Sequence, residues 1–429
     1  MTGLSGYLAF IRTHLALLGF GFVAVFWGNF GQSFFVAWFG AEIQRDLGIS
    51  AGTYGSAYSA ATLLSAFTVV WLGGLVDRVA LRTYILAVAA GLTVAALVLS
   101  QAAGLLMLFL GFYLLRLFGQ SLLPHTGITT MARMFADTRG KAISIAMSGV
   151  PAGEVVLPLA AVAMVAAIGW QGTFLVVALS TVVILMPLSV FLLRRGLPDG
   201  GLSVDPFDKA DGDHTGDSGE LHPARWPGRR EVLRDYRFWL ALPALMAAPF
   251  LITGIFIHQN FIVEQKGWTM SWLAICFTVY GLVHWLSALT AGSLVDRLGP
   301  YRLLPWLLVP LLASISVVAF VPGWWVAMLM MVFLGMAAGS GPPIAGALWP
   351  EVYGTRNLGA IRSMNIAIMV TATSISPVLF GYLIDTGISV TGLFGGCAVY
   401  VLLALLLVCF SYPANSTSLV PVEQTGNRK

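Results

Sequence analysis

The chain is laid out as long apolar runs separated by short polar breaks. A helix that crosses a bilayer needs about 20 mostly apolar residues. Twelve runs meet that length: residues 14–40, 54–76, 83–101, 105–131, 142–168, 172–193, 237–263, 269–294, 302–321, 323–348, 359–384 and 390–411. Most connections are short. The exception lies between the sixth and seventh runs. It opens on Arg194-Arg195-Gly196, turns acidic and glycine-rich (Asp205, Asp208, Asp211, Asp213, Asp217, Glu220) and ends basic (Arg225, Arg229, Arg230, Arg234). Low hydrophobicity with blocks of like charge predicts a flexible linker. The expected organisation is an N-terminal six-helix bundle over 1–195, a cytoplasmic linker over 196–236, a C-terminal six-helix bundle over 237–412 and a cytoplasmic tail over 413–429.

Composition narrows the class. Of 429 residues, 58% are hydrophobic and 10% charged, where a soluble domain carries about a quarter charged residues. A soluble enzyme, a nucleic-acid-binding protein and a disordered chain are all disfavoured. The isoelectric point of 9.0 reflects topology. The termini and the loops after even-numbered spans hold all but three of the 23 basic residues; Arg45 and Lys266 lie on the other side and Arg116 lies inside a span. Positive charge collects on the cytoplasmic side, so a multi-pass protein of the plasma (inner) membrane with both termini cytoplasmic is expected. Cys276, Cys397 and Cys409 sit in apolar runs without disulfide or metal-ligand spacing. No cofactor is implied. The first apolar run is too long for a cleavable signal peptide.

The two halves repeat. Gly73-Gly74-Leu75-Val76-Asp77-Arg78 and Gly292-Ser293-Leu294-Val295-Asp296-Arg297 are offset by 219 residues, and so are Pro124 and Pro343, Gly127 and Gly346, Gly140 and Gly359, Pro158 and Pro377. Agreement at helix breakers and a charged loop, in one register, predicts two homologous six-helix halves with a substrate site between them at mid-membrane.

The pattern Gly73-x-Leu75-x-Asp77-Arg78-x-x-x-Arg82, with its second copy Gly292-x-Leu294-x-Asp296-Arg297-x-Gly299 followed by Arg302, resembles the loop signature of the major facilitator superfamily; Ala80 replaces the usual glycine in the first copy. The resemblance implies an all-α membrane protein of twelve transmembrane helices in two pseudo-symmetric bundles. It also implies a gating role for Asp77, Arg78, Arg82, Asp296, Arg297 and Arg302. Physically, such aspartates can cap helix N-termini and the arginines can pair with acids. Weaker stretches, Arg116 to Gln120, Glu231 to Asp235 and Tyr353 to Gly359, resemble the oxalate–formate antiporter and monocarboxylate-porter branch. That branch often places a substrate-binding arginine in the eighth span where this chain has Ala288.

Ionisable groups at mid-membrane are costly and are functional candidates. Arg116 lies about eleven residues into the fourth span and Glu154 about twelve into the antiparallel fifth. The shared depth allows an ion pair in which Glu154 competes with an anionic substrate for Arg116, and protonation of Glu154 frees the arginine. His284 is a second proton carrier, since imidazole titrates near neutrality. Asn29, Gln32 and Ser33 are spaced i, i+3, i+4, Gln120 follows Arg116 by four, and Tyr280 precedes His284 by four; α-helical periodicity places each set on one face. Gly335 to Pro343 reads as a bending element of the tenth span.

The expected function is a proton-coupled secondary transporter of a small organic anion, of carboxylate type, working by alternating access. Arg116, Asn29, Gln32, Gln120, Tyr280 and His284 are the expected substrate-binding residues, and Glu154 and His284 the proton-coupling ones. The expected partners are the substrate, protons and membrane lipids, with no nucleic acid, no metal and a monomeric state. Two other readings stay open: an exporter of lipophilic or cationic compounds, and a sensor that kept the fold without transport.

Overall fold

A computed structural model of the chain describes residues 4–135, 138–202, 229–354 and 358–412. The body of the linker (203–228) and the tail (413–429) lie outside the described residues, and of Asp77 only the backbone is described. The described chain is helical, with no strand. Ten helices are long and apolar enough to cross a membrane, and the bent pair Leu15–Gly31 and Ser33–Leu47 supplies an eleventh span. One of the ten, Arg139–Gly196, has 58 residues. At 1.5 Å per residue it would reach about 87 Å, almost three times a hydrocarbon core of ~30 Å. It breaks at Gly169, whose φ of 71° and ψ of 174° are non-helical and suit glycine. It therefore forms the fifth and sixth spans, which makes twelve among the described residues. The second to fourth spans are Ala51–Val76, Leu81–Ser100 and Leu105–Met134. The seventh to twelfth are Tyr236–Ile257, Met270–Leu298, Pro300–Phe320, Val326–Tyr353, Met364–Asp385 and Val390–Cys409.

Large apolar side chains point outward along these helices: Trp71 is 82% exposed, Leu106 80% and Val70 75%. In water such a surface would be sticky; against lipid it costs nothing. The ends of the elements carry ordinary caps. Ser50 and Ser389 each accept a backbone N–H three residues on, from Thr53 and Gly392.

The sequence repeat reappears in backbone conformation. Gly48 and Gly267, again 219 apart, both adopt left-handed φ values of 61° and 65°; Gly48 ends the last helix of the first span and Gly267 the short helix that follows the seventh. The signature motif departs from its expected place in a loop. Its second copy lies on the last turns of Met270–Leu298, and its first ends the second span as a 3₁₀ turn, Gly73–Asp77. Beyond it the copies differ for a physical reason. Gly299 turns with φ 77°, whereas Ala80 at the equivalent position keeps φ −49° and an extended ψ of 129°. An L-residue avoids the left-handed turn, so the alanine copy makes its corner another way.

Two compact units form: Met1–His214 with Thr253–Gly281 and Ser374–Ile388, and Thr215–Ile252 with Leu282–Thr373 and Ser389–Lys429. The boundary crosses the seventh, eighth and eleventh spans. Within the second unit Gly339 lets the tenth span approach the backbone of His284 and Ala288. The run from Gly335 to Pro343 stays inside one helix, Val326–Tyr353, and serves this close approach. Tyr353 donates to Asp235 (2.9 Å) and shares a hydrogen bond with Tyr412 (2.8 Å), tying the start of the seventh span and the end of the twelfth to the tenth.

Within the first unit one of the tightest helix contacts is Gly31 against Gly119, where a Cβ on Gly31 would enter the backbone of Leu115 and Gln120. Close approach of this kind replaces the missing hydrophobic drive between helices in lipid. Gly31→Ala and Gly119→Ala should each cost about 1–3 kcal/mol through overpacking. Gly395→Ala, on a helix position with open space around it, should be neutral or slightly stabilising. Thermal unfolding in detergent, followed by tryptophan fluorescence, checks the ranking; equal midpoints for all three would refute it.

Candidate functional site

The first span stops being an α-helix at mid-length. Asn29–Gly31 is a 3₁₀ turn, Gln32 is extended (φ −74°, ψ 152°) and the helix restarts at Ser33 after a 45° bend. The expected single face of Asn29, Gln32 and Ser33 is therefore divided across a break. The fourth span is also irregular: Leu115–Leu122, which holds Arg116 and Gln120, is a π-helix. Its wider turn moves Gln120 off the α-helical register relative to Arg116. The two irregular segments meet at Gly31 and Gly119. Non-helical backbone at membrane depth is tolerated where protein encloses it, and these two segments enclose each other.

Arg116 fills the junction. It is buried, and its Nη1 donates to the Gly31 carbonyl at 3.2 Å, inside the break. Its guanidinium lies over the Tyr58 ring, 5.0 Å from the centroid, a cation–π contact. Nε, on the other edge of the guanidinium, has no hydrogen-bond partner. The Tyr58 hydroxyl is likewise buried without one. Gln32 and Gln120 border the junction half-buried.

Asn29 is wholly buried and points to the fifth span. Its Nδ2 donates to Gly149 O at 2.8 Å, and its amide occupies the space that a side chain at Gly153 would need. The glycines at 149 and 153 thus have a local cause. Next to them Glu154 is buried against the eighth span, where Gly281 packs on Glu154 and Val155 and Thr278 donates to Val155 O at 3.1 Å. Glu154 is the charged neighbour of Tyr280, whose ring packs on Phe277 and Phe256 with centroids 4.9 and 5.4 Å away.

The structure thus brings Arg116 to Gly31 and Tyr58, Asn29 to the fifth span, and Glu154 to Tyr280. The hydrogen bond and ring contact of Arg116 do not involve Glu154; similar depth leaves them facing different helices. His284 is half-buried in the second unit. Arg78, Asp296, Arg297 and Arg302 are exposed at the arginine-rich end, while Arg82 is half-buried and its backbone N–H donates to Gly201 O.

Sequence reading missed Tyr58, because a tyrosine in an apolar helix carries no mark of the cation it will meet. It also missed the partners of His258, Asp46 and Asp385. His258 is buried with Nε2 2.7 Å from Pro377 O; a carbonyl only accepts, so the imidazole carries its proton on Nε2. Trp170 Nε1 donates to Asp46 (2.8 Å), and Gly52 N to Asp385 (2.9 Å).

The sequence model of the Major Facilitator Superfamily matches residues 18–283 and 253–427. The chain belongs to that superfamily. It is a multi-pass integral membrane transporter rather than an enzyme. Among curated protein sequences none matches. Among solved structures it is similar to a bacterial homologue of the human lysosomal transporter Spinster. The inward-facing, unoccupied form is 15% identical with a TM-score of 0.66, covering 96% of this chain and 98% of that one. The inward-facing, occupied form is 14% identical with a TM-score of 0.64, covering 96% and 97%. A mutant of the nucleoside transporter NupG is 13% identical with a TM-score of 0.69, covering 92% and 100%. At these identities the likeness is one of fold.

The fit of Asn29 to Gly153 predicts coupling. Gly153→Ala should destabilise by about 1–3 kcal/mol, and Asn29→Ala by a similar amount through its lost buried hydrogen bond. The double variant should be more stable than Gly153→Ala alone, because removing the amide makes room for the methyl. Additive losses in a double-mutant cycle of thermal unfolding would refute the packing account.

Proposed function

We propose that the protein carries a small organic anion of carboxylate type across the plasma membrane by alternating access, with proton coupling and with both termini in the cytoplasm. The observation that carries this reading is the unpartnered Nε edge of Arg116. A guanidinium grips a carboxylate with two parallel bonds from adjacent N–H groups, and the edge formed by Nε and Nη2 offers that fork. Nη1 is already fixed by Gly31 and the plane by Tyr58, so the fork is held ready and loses little freedom on binding. A buried cation is costly when unpaired; an anionic substrate would relieve that cost at the one place where the first and fourth spans are both broken.

Glu154 is the proton-linked acid in this reading. Its position argues for an effect through the eighth span, at Tyr280 and Gly281, rather than through direct competition at Arg116. Protonation would remove a charge from that helix contact and ease its separation. A second reading, export of organic cations, draws on a cavity of about 410 Å³ bordered by Glu42, Asp46, Glu264, Trp38 and Trp170, and also by Arg45, which pairs with Asp46 at 3.3 Å. Carboxylates and aromatic faces suit a cation.

Purified protein screened by thermal unfolding against mono- and dicarboxylates, nucleosides and organic cations separates the readings. Saturating carboxylate, at about 100 times its Kd, should stabilise by about 2.7 kcal/mol. Arg116→Ala should abolish the shift, and Arg116→Lys, which keeps charge without the fork, should weaken affinity at least about tenfold. Stabilisation by cations alone would replace this reading with the second. In proteoliposomes, Glu154→Gln should retain carboxylate binding and lose accumulation driven by a pH step. Undiminished accumulation would remove Glu154 from coupling.

A further inference from the structure

The N-terminus of the second span is capped from two directions. Ser50 accepts the N–H of Thr53, a local cap three residues away. The N–H of Gly52 in the same first turn is left for a distant acceptor, and Asp385 Oδ2, at the end of the eleventh span and 333 residues on, takes it at 2.9 Å. A carboxylate there meets an unpaired donor and the positive end of a helix dipole together.

This bond is the last rung of a fitted face. On the eleventh span Pro377, Gly381 and Asp385 are spaced i, i+4, i+8, one side of a helix. Gly381 lies on the backbone of Ala51 and Gly52, and Gly55 lies on the Pro377 carbonyl. The same carbonyl accepts from His258 of the chain just after the seventh span. The close approach leaves no room for side chains, so polar groups at its margin are what fasten it. The internal repeat gives this contact no counterpart, because the positions 219 residues away from Gly52 and Asp385 are Ser271 and Ala166.

We propose that Asp385 is a conformational latch: by capping the second span it holds that span to the eleventh, and breaking the cap lets the two spans separate at this end. The proposal rests on membership of a transporter family and is independent of the substrate. A gate must close firmly and still open. Close backbone packing at Gly55 and Gly381 closes it, and a carboxylate that re-hydrates on release lets it open. Asp385 is suited to release, being exposed and bordering a cavity of about 740 Å³ between the second, fourth and eleventh spans, with Ser50, Thr53, Phe109 and Tyr382 around it.

The test uses the full-length protein in lipid nanodiscs without substrate. Spin labels go on Ser56→Cys and Thr386→Cys, both exposed positions, in a Cys409→Ser background that removes the exposed native thiol. The parent should show a dominant short distance. Asp385→Ala should raise the longer-distance population about three- to thirtyfold, the range expected for losing a charge-assisted helix cap. Gly52→Ala should act in the same direction. Its new methyl displaces the carboxylate, yet alanine is the better helix former, so the variant is expected to fold even where Asp385→Ala does not. A distance distribution unchanged in Gly52→Ala, or in a folded Asp385→Ala, overturns the latch. Failure of the carboxylate reading at Arg116 would leave these distances as they are.

Discussion

The structure of the first unit follows from one constraint: a guanidinium within the membrane needs acceptors that hydrocarbon does not supply. An unbroken α-helix offers few, because its carbonyls are already spent on its own ladder. The break after Asn29 exposes the Gly31 carbonyl, and Arg116 uses it. The break then dictates its surroundings. It must be covered, so the π segment of the fourth span lies on it through Gly119. It must be held at its start, so Asn29 reaches the fifth span at Gly149, and Gly153 makes room. Gly31, Gly119 and Gly153, which look like generic small residues in the sequence, each make room for the broken backbone or the amide that this arrangement needs.

The two halves share a scaffold and differ in chemistry. The left-handed caps at Gly48 and Gly267 show the repeat persisting in backbone conformation. The residues 219 positions from Arg116, Asn29 and Glu154 are Gly335, Ala248 and Thr373, which carry neither the charges nor the amide. The tenth span at Gly335 is α-helical where the fourth is π. The repeat supplies two related sets of helices; the buried cation and the amide belong to the first set and have no counterpart at the equivalent positions of the second.

Much of this was legible in the sequence, and the remainder was hidden for identifiable reasons. Twelve spans follow from apolar run length, which is a local property, and the repeat follows from a fixed offset. Arg116 and Glu154 stand out because charges are rare in such runs. Their separation was not legible, since depth is set by counting along a helix while lateral facing depends on helix rotation. The π turn of the fourth span shifts the register beyond Arg116, and nothing in Leu115 to Leu122 announces it. The break at Gln32 was hidden in the same way: Asn29, Gln32 and Ser33 fit an α-helical face that the chain does not form there. Asp385 read as one more charge at the end of a span. Its partner is a backbone N–H, which every residue but proline has, so no side-chain pattern could have selected Gly52.

The second span joins the two features that the sequence kept apart. Tyr58 lies under Arg116, and Gly52 receives Asp385. Six residues separate them on a continuous helix, about 9 Å of rise. Coupling between distant events needs an element with two arrangements that both events bias, and a rigid helix held at one end by a breakable cap meets that need. Under the proposed functions of Arg116 and Asp385, a ligand that draws Arg116 from the Tyr58 ring would change the load on the helix whose first turn carries the Asp385 cap. The differential affinity of the ligand for the two arrangements then sets how far the equilibrium moves. A cap of modest strength would serve such coupling: one much stronger would hold the second span to the eleventh against the binding energy of a small ligand.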